Sequence, residues 1–100
     1  MDDGRVPTER TTPVKYMLCR NKVADFAQWK KVFDAHAEAQ RQSGLHLQRL
    51  WRGLDDPNEV FMLFEVTDID KARSFVTSPK VPDAQRQSGV LEEPDVYFME

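Results

Sequence analysis

The segment from Val60 to Val66 is apolar at six of its seven positions, and this pattern restricts the fold more than any other part of the chain. Its β-branched and aromatic residues are typical of a strand. Side chains alternate between the two faces of a strand, so Met62 and Phe64 point one way while Phe61 and Leu63 point the other. Both faces of this strand therefore need to be covered from water.

Three other segments have the composition and length of strands. The four predicted strands are Val14–Arg20, Leu45–Arg52, Glu59–Val66 and Val96–Met99. The turn-forming residues Asp55 to Asn58 separate the second strand from the third and predict a hairpin.

Helical periodicity follows the first and the third strand. Asp25 is a candidate N-cap for a helix that ends at Gly44, and Asp68 or Asp70 is a candidate N-cap for a helix that ends before Pro79. One or two further turns are predicted from Pro82 to Ser88. The order β-α-β-β-α-β predicts a ferredoxin-like α+β fold, a four-stranded antiparallel sheet with helices on one face.

An internal repeat supports two related halves. The hexapeptide Ala39-Gln40-Arg41-Gln42-Ser43-Gly44 recurs unchanged as Ala84-Gln85-Arg86-Gln87-Ser88-Gly89, which is 84 − 39 = 45 residues later. Both copies stand where a helix is predicted to end with glycine. Two β-α-β halves related by a pseudo-twofold axis predict equivalent helix ends at this separation.

The helices can cover only one face of such a sheet, and the other face also carries apolar residues. An identical face on a second copy of the chain is the simplest cover. About eight side chains that each lose about 40 Å² would contribute on the order of 8 kcal/mol per chain at about 25 cal/mol/Å². We therefore expect a homodimer that joins the two sheets into an α+β barrel.

Size and composition exclude several classes of protein. The chain has 100 residues, enough for one domain, and we expect a flexible leader over residues 1–12 and a single domain over 13–100. A net charge of −3 gives no general attraction to nucleic acid or to an anionic membrane surface. No membrane span or signal peptide is apparent, and Cys19 is the single cysteine, so a cytoplasmic location is expected.

Four short motifs resemble a known group of proteins. They are Asp25–Lys30, Phe33-Asp34, Asp55–Val60 and Pro94–Phe98. With this order of elements, residues 13 to 100 resemble the dimeric α+β-barrel superfamily, and in particular small bacterial members grouped with antibiotic-biosynthesis monooxygenases and polyketide cyclase-like proteins. The resemblance implies a cofactor-independent monooxygenase or cyclase-like enzyme, although the superfamily also includes stress-response proteins and haem-degrading enzymes. Haem-degrading members carry an axial histidine on the second helix, which has none here, so we expect no cofactor.

His36 is the candidate catalytic residue. Its spacing from Phe26, Trp29 and Phe33 directs it toward the interface between helix and sheet. Imidazoles gain and lose a proton near neutral pH, so His36 could act as a general base toward a phenol or enol. A partly buried histidine that bonds only to the backbone is the structural alternative. With His46 as the only other histidine, a metal site is not expected.

The candidate ligand-binding residues are aromatic side chains and one arginine. Trp29 and Phe33 could form the walls of a pocket, and Trp51 with Arg49 could hold an aromatic ligand. Tyr16 or Tyr97 could place a hydroxyl in the pocket. Each also has a structural interpretation, since Trp29 can be core, Trp51 can pack on the sheet, and Arg49 can form an ion pair between subunits.

Two functions remain open from the sequence. The first is an enzyme that acts on a small hydrophobic or aromatic ligand, with His36 as base. The second is a non-catalytic dimer, either a ligand-binding or a stress-associated protein, in which the aromatic helix face is only core. A cavity beside His36 distinguishes the two, because ligand pockets usually reach about 300 Å³ or more.

Overall fold

Four antiparallel strands form one sheet in the order β2-β3-β1-β4. A computed structural model of the protein describes residues 14–78 and 81–100, so the predicted leader lies outside the described residues. The strands are β1 Lys15–Lys22, β2 Leu45–Arg52, β3 Glu59–Val66 and β4 Asp95–Met99. This sheet, with helices packed on one face, confirms the ferredoxin-like α+β fold.

Strand β1 is longer than its apolar residues predicted. Asn21 pairs with Val60 and Lys22 pairs with Glu59, so the ladder continues past Arg20. The prediction that Asn21 and Lys22 end the strand was wrong, because their backbone groups find partners on β3 whatever their side chains are.

The helices are α1 Phe26–Ala35, α2 Ala37–Gln42, α3 Ile69–Val76 and α4 Val81–Ser88. Asp25 caps α1 by accepting the amide of Ala27, and Asp68 rather than Asp70 caps α3 by accepting the amide of Lys71. The predicted ending of the α3 segment at Pro79 falls on a residue outside the described ones.

The helix predicted from Asp25 to Gly44 is interrupted at His36. The backbone amide of His36 bonds to the carbonyl of Phe33 at 3.1 Å, while its ring nitrogen Nδ1 lies 2.8 Å from the carbonyl oxygen of Val32. In a continuous helix the amide of residue 36 would bond to the carbonyl of residue 32. The imidazole takes the place of that amide, and this competition between side chain and backbone separates α1 from α2.

A β-bulge in β2 keeps its leucines on one face. Leu47 pairs with Phe64 and Arg49 pairs with Leu63, so Gln48 is the inserted residue. The insertion shifts the alternation by one position. Leu45, Leu47 and Leu50 therefore lie on the face that carries the helices.

That face forms the core. Its buried side chains pack against Trp29 and Ala72 of the helices and include Met17, Cys19, Val60, Met62, Phe64 and Val66. The opposite face is open and carries both apolar and charged side chains, with Trp51 at 46%, Tyr97 at 56% and Met99 at 42% exposure beside Arg20 and Glu59. Among the described residues, no helix has both the length and the hydropathy to cross a membrane.

Candidate functional site

A cavity of about 380 Å³ lies between the helices and the covered face of the sheet. Strands β1 and β3 form its floor, α1 forms one wall, and residues of α3, α4 and the segment before β4 form the others. Its described apolar lining includes Met17, Trp29, Val32, Phe33, Leu45, Met62, Phe64, Phe75 and Val76. A space of this size and character fits a small apolar ligand.

The aromatic wall of the cavity consists of rings in contact with one another. Trp29 and Phe33, one turn apart on α1, stack with their ring centroids 4.7 Å apart at an interplanar angle of 20°. Phe33 also contacts Phe64 of β3, with centroids 6.3 Å apart. Helix spacing thus places two rings side by side, and the sheet supports them from below. The arrangement gives the cavity an aromatic wall.

His36 lines the same cavity at the junction between α1 and α2. Its Nδ1 faces the carbonyl of Val32, which can only accept a hydrogen bond, so Nδ1 carries the proton. In the neutral ring the other nitrogen, Nε2, then has a free lone pair. The bond to the backbone, which was the structural alternative for this histidine, therefore selects the tautomer that a base at Nε2 requires.

Two polar side chains of β1 lie on the cavity floor. Burial raises the pKa of the Cys19 thiol to about 12, so this group stays protonated and is not a nucleophile. Asn21 stands two residues further along the same strand face, and its Oδ1 is buried with no hydrogen-bond partner. An unpaired buried carbonyl oxygen is unfavourable, so this group would gain from a hydrogen-bond donor.

The described lining of the cavity has little charge. Among the described residues that line it, Glu93 is the only charged one, and none is a lysine or an arginine. The remaining polar lining consists of neutral amides and hydroxyls, on Gln40, Thr77, Ser78, Gln85 and Ser88. An anionic ligand would lose its hydration here without gaining a cationic partner among these residues. The lining favours a neutral molecule.

The predicted site residues divide between the two faces of the sheet. Trp29, Phe33 and His36 meet at the cavity. The strand register places the other four on the open face. On β2, Arg49 pairs with Leu63 and Trp51 with Phe61. On β4, Tyr97 pairs with Leu18, which shares its face of β1 with Tyr16. Arg49, Trp51, Tyr16 and Tyr97 therefore do not line the cavity. A ligand-binding role for them stays a prediction that would concern the open face.

Asn21 was not predicted as a site residue. Its signal in the sequence is strand parity, because residues 17, 19 and 21 share one face of β1. A strand predicted to end at Arg20 does not include Asn21 among the residues of this face. As for metal ions, the ranges 14–78 and 81–100 contain no cluster of three or more His, Cys, Asp or Glu side chains that could hold one.

No protein-family model and no curated protein sequence matches the chain. Several solved structures match it in fold. A candidate antibiotic biosynthesis monooxygenase from Bordetella bronchiseptica superposes with a TM-score of 0.72 at 14% identity, covering 89% of this chain and 97% of that one. A candidate antibiotic biosynthesis monooxygenase from Caulobacter crescentus superposes with a TM-score of 0.65 at 17% identity, covering 86% of this chain and 87% of that one.

A variant of SnoaB, a cofactor-independent oxygenase from Streptomyces nogalater, is similar to the same degree. It superposes with a TM-score of 0.65 at 21% identity, covering 87% of this chain and 91% of that one. At these identities the likeness concerns the fold, while activity depends on the residues of each site. The chain thus shares the ferredoxin-like α+β fold of antibiotic biosynthesis monooxygenase-type proteins, as its sequence motifs predicted.

Proposed function

We propose that the protein is a homodimeric enzyme that binds a small, neutral, aromatic molecule in the cavity and uses His36 as a general base. The observation that carries this proposal is the environment of His36. Its Nδ1 is engaged by the carbonyl of Val32, and its ring borders a cavity of about 380 Å³ with a wall of stacked aromatic rings. A histidine that was only core would not need an adjoining space of this size.

Cofactor-independent oxygenation is the chemistry that this site supports best. Nε2 of His36 would accept the hydroxyl proton of an electron-rich phenol. The phenolate would donate electrons to O₂, a carbon–oxygen bond would form at an unsubstituted ring carbon, and the resulting peroxide would lose water to leave a quinone. Naphthalene-1,5-diol and O₂ would thus give 5-hydroxy-1,4-naphthoquinone and water. Trp29 and Phe33 would hold the ring.

The same step can initiate a cyclisation. Removal of a proton from an enol by His36 would produce the nucleophile for ring closure, with no oxygen consumed. Oxygen uptake during turnover therefore separates the monooxygenase from the cyclase-like enzyme. Neither reaction requires a bound cofactor, and a cytoplasmic location remains part of the proposal.

The open sheet face would be the dimer interface. Leu18, Phe61 and Leu63 lie half-buried at its centre, and Trp51, Tyr97 and Met99 lie exposed around them. An identical face would bury these side chains on both chains at once. The mass from sedimentation should be that of two chains at low micromolar concentration, and Leu63→Arg should reduce it to one. A wild-type mass of one chain would refute the dimer.

The catalytic role is tested with two variants of His36. In His36→Asn the side-chain amide can still donate to the carbonyl of Val32, whereas His36→Ala removes this bond as well. Both should bind naphthalene-1,5-diol but lose most of the quinone formation, by on the order of a hundredfold or more. Far-ultraviolet circular dichroism would verify that the variants are folded.

The results discriminate between the two functions that the sequence left open. Saturable binding of the diol with no turnover above the uncatalysed oxidation would favour the non-catalytic ligand-binding protein. Turnover that survives in both His36 variants would remove His36 from the mechanism. No saturable binding by the wild type would refute the cavity as a ligand site.

A further inference from the structure

The cavity has hydrogen-bond acceptors toward both ends of α1. His36 closes the C-terminal end of this helix. Asn21 lies near the beginning of α1, and Asn58 connects the two. The carbonyl of Asn58 accepts the amide of Val23, two residues after Asn21, and its Oδ1 accepts the amide of Phe26, the first residue of α1. Ten helical residues span about 15 Å. The two acceptors are therefore well separated along the cavity.

The amide of Asn21 stands out among the polar groups of the cavity. Its Oδ1 is shielded from water and has no hydrogen-bond partner, although the side chain borders the cavity. Its neighbours on the same face of the sheet are Cys19 and, across the register, Val60, and the side chain of Val60 has no donor to offer. Buried amides are normally paired, so an orphaned one needs an explanation.

We propose that Asn21 is a specificity-determining residue that accepts a hydrogen bond from a hydroxyl or N–H group at the end of the ligand remote from His36. The inference rests on the proposed function, since it assumes that the cavity holds the ligand. The χ2 torsion of asparagine is soft, so the amide can turn its oxygen toward the cavity when a donor arrives. The preferred ligand is then an elongated neutral molecule with an apolar body and a donor at each end.

The described lining disfavours the alternative of an acidic group at this end. Neither lysine nor arginine occurs among the described lining residues, and the carboxylate of Glu93 would repel an anion. A methyl ether at the same position would fill the space but leave Oδ1 unpaired. Sites built to bond a donor discriminate strongly against analogues without it.

Three naphthalene probes test the assignment: naphthalene-2,6-diol, 6-methoxy-2-naphthol and 2,6-dimethoxynaphthalene. Binding is measured by titration calorimetry on the wild type, Asn21→Leu and Cys19→Ala. In the wild type, each hydroxyl replaced by methoxy should weaken binding on the order of tenfold. In Asn21→Leu, the preference for the diol over the monoether should shrink to the statistical factor of about two that comes from the two equivalent hydroxyls of the diol. The preference for the monoether over the diether should remain, because His36 is intact.

Cys19→Ala is the matched control, since it alters the cavity floor two residues away without removing an acceptor amide. It should keep both preferences. Leucine has nearly the shape of asparagine and removes the orphaned oxygen, so the melting temperature of Asn21→Leu should equal or exceed that of the wild type. If that variant is unfolded, Asn21→Ala is used in its place with the same expectations for the probes.

The outcomes separate this inference from the function on which it rests. If the probes bind and Asn21→Leu prefers the diol over the monoether as strongly as the wild type does, Asn21 does not set specificity, while the ligand cavity stands. If none of the three probes binds saturably to the wild type, both are refuted.

Discussion

The backbone carbonyl of Gly44 accepts a hydrogen bond from the amide of Thr67 at 2.9 Å. The carbonyl of Gly89 accepts the amide of Ala24 at the same distance. Each glycine ends the last helix of one half of the chain, and each amide belongs to the residue just before the helix N-cap of the other half. The repeated hexapeptide thus marks two equivalent contacts. In each of them, the glycine of one half bonds to the residue that precedes the first helix of the other half.

The two glycines should respond differently to substitution by alanine. Both have φ at +79°, where any residue with a Cβ is strained by about 1 kcal/mol or more. A Cβ on Gly44 would also lie 2.9 Å from the backbone nitrogen of Asp68, whereas for one on Gly89 the nearest atom of the described residues is the Cβ of Ala24 at 3.7 Å. Gly44→Ala should therefore reduce the free energy of unfolding by at least about 2 kcal/mol, and Gly89→Ala by about 1 kcal/mol.

Urea unfolding at one fixed protein concentration measures both losses, because a dimer would make stability depend on concentration. Equal losses in the two variants would show that the close approach of Asp68 does not matter. No loss in either would contradict the left-handed geometry itself.

Trp51 should report on the open sheet face. In a monomer its side chain is 46% exposed, whereas Trp29 is buried at 3%. If two sheets pack together as proposed, Trp51 in the variant Trp29→Phe should emit at short wavelength and resist quenching by acrylamide. Dilution to nanomolar concentration should shift its emission to longer wavelength. The emission of Trp29 in Trp51→Phe serves as the control and should not depend on concentration.

Arg20 joins three carboxylates, two on the sheet and one in the segment before β4. Its Nε lies 2.5 Å from Glu59 of β3, and its Nη1 lies 3.2 Å from Asp95 of β4 and 3.4 Å from Glu92. Arg20→Gln would leave these three acids facing one another without a cation. We expect the melting temperature to fall by a few degrees in low salt and by less in high salt, because salt screens the repulsion.

Arg41 provides the comparison for Arg20. It pairs with a single acid, Glu38, one turn earlier on an exposed helix. Isolated surface pairs contribute little to stability, so Arg41→Gln should change the melting temperature by no more than about one degree. If the two variants lose the same amount, the network around Arg20 adds nothing beyond an ordinary surface pair.

Local signals explain why most of the fold was predictable. The N-caps at Asp25 and Asp68 and the terminating glycines depend on residues a few positions apart, and so does the alternation in β3. The interruption at His36 does not follow from such local signals. It arises because the imidazole occupies the position beside the carbonyl of Val32 that a backbone amide would normally fill. Residue spacing alone does not show this competition.

The candidate site was predictable in part for the same reason. The aromatic wall and His36 follow from spacing along one helix. Asn21 depends on how far β1 continues, and this is set by pairing with β3 rather than by its own polar neighbours. Placing Arg49 and Trp51 relative to the helices requires the bulge at Gln48 and the register of β2 against β3. These are relations between distant segments.

Cys19 should make the protein less stable at alkaline pH. Burial raises the pKa of its thiol from 9.0 to about 12, so between these values the unfolded chain releases a proton that the folded chain keeps. The free energy of unfolding is therefore highest below about pH 9 and should fall by about 1 kcal/mol between pH 9 and pH 10 from this group. Cys19→Ala should show a shallower loss over the same range in urea unfolding. Identical slopes for the two proteins, or rapid reaction of the native thiol with a disulfide reagent at pH 8, would contradict the burial of this group.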